Sequence, residues 1–374
     1  MMRIAIDAMG GDRAPGPVVE GAVLAANELG VEVVLVGQKE LVERELKRHP
    51  SPVSPIHLVA ASETIAMHES PSSTLRKKDS SVRVTFELLK RGEVQAVVGG
   101  GNSGAFMASG MFILGKLPHV ERPAILVVVP SLGKGTVIID AGANADCKPH
   151  HLVQFGVMGS IYADRVLGID RPRVGVLSNG EEQGKGIELT RVASEQLQAT
   201  ALNCMGQVEG RDITNGRVDV VVCDGFTGNV TLKTMEGIAS LIMNTLKDAF
   251  RASYLSRLGY LLSRKSLLQA YTRLDYAEYG GAPLLGLNGV AIMAHGGSSP
   301  KAIKNAIRVA KETVSHDVNR NVIESLESFA TVRGGGENRF SHRVWSQIKS
   351  TIETFSEQPI TEREERETKS GGKV

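Results

Sequence analysis

The stretch Val94-Gln95-Ala96-Val97-Val98-Gly99-Gly100-Gly101-Asn102-Ser103-Gly104 decides the fold. It opens as an apolar run, the pattern of a strand covered on both faces. It then breaks into three glycines and offers Asn and Ser, residues that begin helices by accepting a backbone N–H. Over 103–115 the apolar residues recur at helical spacing. Strand, glycine turn and helix in that order make one arm of a βαβ unit, which belongs to a parallel sheet.

Outward from this stretch the same rhythm repeats. Short Val- and Ile-rich runs at 3–7, 32–36, 56–59, 94–98, 124–129, 136–140, 173–177, 218–223 and 290–294 are expected strands. Helices are expected over 16–29, 39–48, 73–91, 103–115, 150–166, 186–199, 229–252, 300–328 and 341–355. The link from 130 to 135 is too short for a helical crossover, so 124–129 and 136–140 are expected as a hairpin, with part of the sheet antiparallel. The expected fold class is α/β, a Rossmann-like multilayer sandwich with a mainly parallel sheet. Residues 1–355 read as a single catalytic domain with a projecting basic helical hairpin at about 229–275. The last residues, 356–374, alternate Glu with Arg and Lys and read as a disordered tail.

The residues at the strand ends carry the informative pattern. Asp7-Ala8-Met9-Gly10-Gly11-Asp12, Gly99 to Gly104, Asp140-Ala141-Gly142-Ala143-Asn144, Ser178-Asn179-Gly180-Glu181, Asp224-Gly225-Phe226-Thr227-Gly228-Asn229 and His295-Gly296-Gly297-Ser298-Ser299 each close an expected strand. In open α/β sheets ligands bind outside the carboxyl ends of the strands. Glycine lets a backbone come close, and helix N-termini favour anions. One long crevice lined by all six turns is expected, suited to phosphate or an oxyanion. Asp7, Gly10, Gly11, Gly101, Asn102, Ser103, Gly104, Asn144, Asp224, Gly225, Gly228 and Gly296 are its expected phosphate and substrate contacts.

Composition removes several function classes. A formal net charge of +2 and few aromatic residues argue against nucleic acid. Gly99-x-Gly101-x-x-Gly104 matches a dinucleotide fingerprint, but the next strand ends on Val129-Pro130 without the ribose-binding acid. There is no Walker A motif, so no nucleotide cofactor is expected. The three cysteines, Cys147, Cys204 and Cys223, form no CxxC, so neither a disulfide framework nor a zinc site is expected, and no metal at all. Asp7, Asp140 and Asp224 end strands, where such residues either bind a metal or cap helices and turns, and capping is the expected role. A first strand beginning at Arg3 leaves no room for a signal peptide, and no apolar stretch is long enough to span a membrane. A cytoplasmic protein is expected.

At these same turns the sequence resembles the acyl-ACP:phosphate acyltransferase family, the enzymes that make acyl phosphate for bacterial phospholipid synthesis. The resemblance runs over roughly 2–335. It is carried by Ile4 to Asp12, Gly99 to Ala105, Asp140 to Pro149, Asp224 to Asn229 and Asp275 to Ala282. It implies the fold shared by isocitrate and isopropylmalate dehydrogenases and phosphotransacetylase. It also implies a homodimer, peripheral association with membranes, acyl carrier protein and inorganic phosphate as partners, and no cofactor. From the residues alone, a phosphotransacetylase-like enzyme acting on acyl coenzyme A, a decarboxylating dehydrogenase and a non-catalytic phosphate-binding scaffold remain open.

The implied reaction is attack of a phosphate oxygen on a thioester carbonyl. It needs positioning of two reactants and donors aimed at the developing oxyanion. Lys185 and Asn229 suit the catalytic donor role, with Asn229 expected at a helix start. His295 suits orientation of phosphate or proton transfer. Cys147 is not expected to be acylated. Between Arg251 and Arg273 lie five basic residues and no acidic one, interspersed with Leu and Tyr. That is the composition of an interfacial contact with an anionic membrane surface, through Leu255, Leu258, Leu261, Leu262 and Leu267. The preceding apolar spacing of Leu232, Met235, Ile238, Ile242, Leu246 and Phe250 suits a dimer interface.

Overall fold

The computed structural model describes residues 1–182, 184–274 and 280–336, and their side chains apart from 268–274 and 328–336. The expected helix at 341–355, the tail at 356–374, the expected domain boundary between them and the stretch 275–279 lie outside the described residues. Two compact units are distinguished, Met1–Leu326 and Glu327–Val374.

In chain order the elements are β1 (Arg3–Asp7), α1 (Gly16–Glu28), β2 (Glu32–Gly37), α2 (Lys39–Leu46), β3 (Ile56–Ala60), α3 (Ser73–Arg76), α4 (Ser81–Lys90), β4 (Ala96–Gly99) and α5 (Ser103–Ile113). Then come β5 (Ala124–Val129), β6 (Thr136–Ile139), α6 (Pro149–Arg165), β7 (Arg173–Leu177), α7 (Glu188–Gln198), β8 (Asn203–Val208), α8 (Asp212–Asn215) and β9 (Val220–Val222). Last are α9 (Gly225–Arg251), α10 (Tyr254–Leu274), β10 (Ala282–Leu285), β11 (Val290–Met293), α12 (Pro300–Ser315) and α13 (Val318–Gly336).

The strands form one 11-stranded sheet in the order β3-β2-β1-β4-β11-β10-β5-β6-β9-β7-β8. Pairing is parallel except at β11–β10, β10–β5 and β5–β6. The inner strands β1, β4, β6 and β9 are apolar on both faces because both faces are covered. Ile4 and Ile6 of β1 pack in a core with α1 and α12, while Ala5 between them packs in a second core with α4 and α5. The expected α/β sandwich with a mainly parallel sheet is therefore what the chain forms.

The antiparallel steps have a consequence that the turns alone do not reveal. Three reversals separate β11 from β6, so the block β3-β2-β1-β4-β11 runs opposite to the block β6-β9-β7-β8. The carboxyl ends of the two blocks point in opposite directions along the sheet. The six turns thus fall into two groups, those after β1, β4 and β11 and those after β6, β9 and β7, carried by blocks of opposite strand direction.

Other departures have local causes. The expected helix 73–91 is two helices, α3 and α4. Between them the chain turns to bond the 62–64 segment, with Ser81 N donating to Glu63 O at 3.0 Å and Ser62 N to the Asp79 carboxylate at 2.8 Å. The expected helix 300–328 breaks at Asp317, whose φ of +48° cannot continue a right-handed helix. Two strands lie outside the expected set. β8 is an edge strand whose apolar run is broken by Gly206 and Gln207. β10 contains Pro283, which normally demotes a run from strand status.

Candidate active site

The first group of turns comes after β1, β4 and β11. Asp7 is buried, and its Oδ1 accepts the N–H of Met9 at 3.1 Å. Burial pushes its carboxyl above the usual range, opposed by hydrogen bonds from Ser81 and Met9. Gly10 lies so close to the next turn that a Cβ there would sit 2.8 Å from Gly101 N. The third turn is tied in by Asp12 N, which donates to Gly296 O at 2.9 Å. Asn102 is consumed by structure. Its Oδ1 caps α5 by accepting the N–H of Ala105 at 3.0 Å, and its Nδ2 donates to carbonyls of Ala66, Met67 and Glu69. The expected phosphate contact through that side chain is therefore corrected; it frames the turn. Ser103 and Gly104 form the first turn of α5, and Ser103 is exposed. His295 is exposed, and its Nδ1 accepts the N–H of Gly297 at 3.1 Å. When neutral, its ring therefore carries the proton on Nε2, a donor.

The second group comes after β6, β9 and β7. Asp140 is fully buried. Its Oδ1 accepts from Ile125 N (3.0 Å), Gly142 N (3.1 Å) and Ala143 N (2.9 Å), and its Oδ2 from Asn144 N (2.7 Å) and Nδ2 (2.9 Å). Burial pushes this carboxyl up too, against those donors. Asn144 Nδ2 also donates to Pro123 O at 2.8 Å, so both its amide hydrogens are engaged within the chain. Asp224 is the N-cap of α9, accepting from Thr227 N at 2.9 Å and Thr227 Oγ1 at 2.7 Å. That gives its carboxylate a capping role and moves the helix start four residues earlier than expected. Asn229 therefore sits one turn inside α9. Gly225 and Gly228 let α9 press onto the Asp140 turn: a Cβ on Gly225 would lie 2.8 Å from Asp140 Oδ2, and one on Gly228 would collide with Asp140 O.

Against this consumed framework, two side chains stand out. Lys185 and Asn229 are exposed, and among the described residues neither side chain has a hydrogen-bond partner. They belong to the turns after β7 and β9, which are paired neighbours. His295 belongs to the other group. The sequence marks Asp140 only as a cap. Its place as the hub of this group is not legible there, because the donors converging on it come from 125 and from 142–144, a juxtaposition made by the β5–β6 hairpin.

Cys147 lies near this group, half-buried. Burial, aided by Asp140 and Asp224, pushes its thiol up to about 12. So protonated a sulfur is a poor nucleophile. Among the described residues, one trio has metal-ligand chemistry, Glu121, His150 and His151, with ligand atoms within 4.8 Å of one another. Its hydrogen bonds give it another role. His151 Nδ1 accepts the N–H of Lys148 at 3.1 Å, which leaves the proton of the neutral ring on Nε2, facing Glu121 Oε2 at 3.3 Å. A metal would need a lone pair at that nitrogen. The trio ties residue 121 to the start of α6.

The hairpin of α9 and α10 is present. Tyr254, Leu255, Leu258, Leu261 and Leu262 are exposed, Leu255 by 82% and Leu262 by 80%, whereas Leu267 is half-buried. On α9, Leu232 and Met235 pack on the core, while Ile238, Leu241, Ile242 and Leu246 are exposed. No helix among the described residues is long and apolar enough to cross a membrane.

Comparison with known proteins agrees with this architecture. A family model described as "Fatty acid synthesis protein" matches residues 2–321. A phosphate acyltransferase of Geobacter sp. (strain M21) is 56% identical over 330 residues, 88% of this chain and 94% of that protein. One from Geotalea uraniireducens (strain Rf4) is 54% identical over 327 residues, 87% of this chain and 94% of that protein. Among solved structures, a phosphotransacetylase from Streptococcus pyogenes superposes with a TM-score of 0.56 at 16% identity, over 84% of this chain and 94% of that one. A branched-chain phosphotransacylase from Enterococcus faecalis V583 gives 0.52 at 13% identity, over 84% and 100%. The phosphotransacetylase-like fold implied by the resemblance is thus present, and the chain belongs to the fatty acid synthesis protein family, with relatives named phosphate acyltransferase.

Proposed function

We propose that the chain transfers a long-chain acyl group from acyl carrier protein to inorganic phosphate, giving an acyl phosphate, and that bond making occurs at the Lys185–Asn229 group. One observation carries the reading: in a group where Asp140, Asn144 and Asp224 are spent on framework, Lys185 and Asn229 remain exposed with unspent donors. The names of the relatives support acyl transfer to phosphate.

The chemistry rests on those donors. A phosphate oxygen attacks the thioester carbonyl carbon and its C=O electrons move to oxygen. Lys185, a mobile ammonium, and Asn229, an amide donor, stabilise that oxyanion. The oxyanion collapses, the C–S bond breaks, and the thiolate leaves with the electron pair and takes a proton from solvent. Phosphate is the nucleophile, so the Cys147 thiol has no part. The first group is assigned to substrate binding: His295 Nε2 and the N-termini of α5 and α12 favour an anionic group. The exposed Leu residues of α10 with Arg257, Arg264 and Lys265 suit an anionic membrane surface, and the basic charge also attracts an acidic carrier. The exposed apolar face of α9 suits pairing with a second copy.

The test is phosphate-dependent release of free thiol from a long-chain acyl carrier protein, with hydroxylamine trapping of acyl phosphate as hydroxamate. Release and trapping together are expected. Turnover with acyl coenzyme A alone would replace the carrier as donor, and no turnover with either would sink the reading.

A further inference from the structure

We infer that Asp140 is a positioning residue for Asn229, acting through Gly142. This rests on the assignment of Asn229 to the reacting centre. The buried carboxylate gathers five donors from 125 and 142–144 and so fixes the 141–144 turn as a single shape. Gly142 sits in that turn with φ +140°, a conformation that side chains rarely adopt. A Cβ placed on it would lie 3.6 Å from Asn229 Cβ, 3.7 Å from Cγ and 3.9 Å from Oδ1. The bare face of Gly142 is therefore the wall that faces the Asn229 side chain, at a distance where an added methyl would just touch it.

The other side of the contact is held from the same carboxylate. The turn of α9 that carries Asn229 begins at Gly225 and Gly228, which approach Asp140 Oδ2 and Asp140 O too closely to tolerate a side chain. Gly225 N donates to Asn144 O at 2.7 Å. One aspartate thus sets both the helix that bears Asn229 and the wall beside it. With no hydrogen-bond partner of its own among the described residues, Asn229 depends on this wall for its direction. A displacement of about 1 Å at a reacting group is enough to cost on the order of 100-fold in rate.

The experiment is a double-mutant cycle on thiol release. Asp140→Asn turns an amide N–H toward backbone N–H donors, so the turn must shift. The expected result is a fall in kcat of about 10- to 100-fold with KM for phosphate within about twofold. Gly142→Ala sets a methyl against Asn229 and strains the turn at its positive φ, and is the second probe if Asp140→Asn folds poorly; about a 10-fold loss in kcat is expected. Combined with Asn229→Ala, neither change should lower kcat further. Losses that multiply in the double variants, or single variants with unaltered kcat, would overturn the inference. An Asn229→Ala protein of full activity would instead overturn the assignment of Asn229 on which it rests.

Discussion

The two groups of turns use the same parts to different ends. Each hangs from a buried strand-end aspartate, Asp7 in one and Asp140 in the other, and each carboxyl is pushed up by burial. Asp7 accepts the N–H of Met9 two residues on and a hydrogen bond from Ser81, and its turn is braced by the glycine turn packed against it at Gly101. Asp140 gathers donors from two segments, so its turn is braced by itself. The second arrangement needs no help from the side chains at its rim. That leaves Lys185 and Asn229 unspent, whereas in the first group Asn102 is consumed and His295 keeps only Nε2 open. Polar residues at a strand end are thus either framework or function, and their hydrogen bonds decide which.

Removing the unspent donors tests this contrast most severely. Lys185→Ala and Asn229→Ala are each expected to lower kcat by about 100- to 1,000-fold, the range for loss of one oxyanion donor. His295→Ala in the other group is expected to cost less, about 10-fold, with the loss in KM for phosphate more than in kcat. If His295→Ala proved the most severe of the three, the roles of the groups would be reversed.

The second group also extends outward, because α9 begins on its Asp224 cap and ends at the exposed hairpin. Leu258→Glu with Leu262→Glu is expected to weaken binding to anionic vesicles by about 100-fold, at roughly 1.5 kcal/mol lost per Leu. Activity on a soluble donor should be unchanged. Equal vesicle binding by the variant would detach the hairpin from any membrane role.

Cys147 supplies a negative control within the second group. With its thiol pushed up to about 12, only about one molecule in 10,000 is thiolate at pH 8, so alkylation should be about 1,000-fold slower than for a free thiol. Rapid alkylation coupled to loss of activity would return the sulfur to the mechanism.

The smallest effect is expected in the first group. Glu69, whose carbonyl anchors Asn102, is lowered from 4.5 to about 2, first by its hydrogen bond from Lys77 and then by that from Ala66 N. A lowered carboxyl adds stability above its unfolded value and loses it as pH falls through its folded one. Protection of the amides in 62–80, taken relative to the intrinsic exchange rate at each pH, should therefore fall between pH 4.5 and about 2, and Glu69→Gln should flatten that change. A profile indifferent to the substitution would place the acid sensitivity elsewhere.

Much of this is legible in the residues. Val- and Ile-rich runs ending in glycine require a sheet covered on both faces, and the hairpin at 124–140 reflects a link too short for a crossover. Lys185, Asn229 and His295 can be singled out as donors of the right kind. β8 and β10 cannot, because an edge strand needs no continuous apolar run and Pro283 masks its strand. The break at Asp317 is hidden inside a helical pattern that continues on both sides of it.

The strand–turn–helix units are written in the chain order alone, since periodicity and turn chemistry act between near neighbours. Strand direction is not. That β10 and β5 reverse the sheet and divide six turns into two groups depends on pairings between residues as distant as Ile125 and Leu284, which exist only once the chain has folded. The same holds for which polar side chains are spent. Asp140 and Asn102 carry the same chemistry as any ligand-binding residue in the chain, and groups from distant segments, Ile125 N at the Asp140 carboxylate and the carbonyls of Ala66, Met67 and Glu69 at the Asn102 amide, consume it only once the chain has folded.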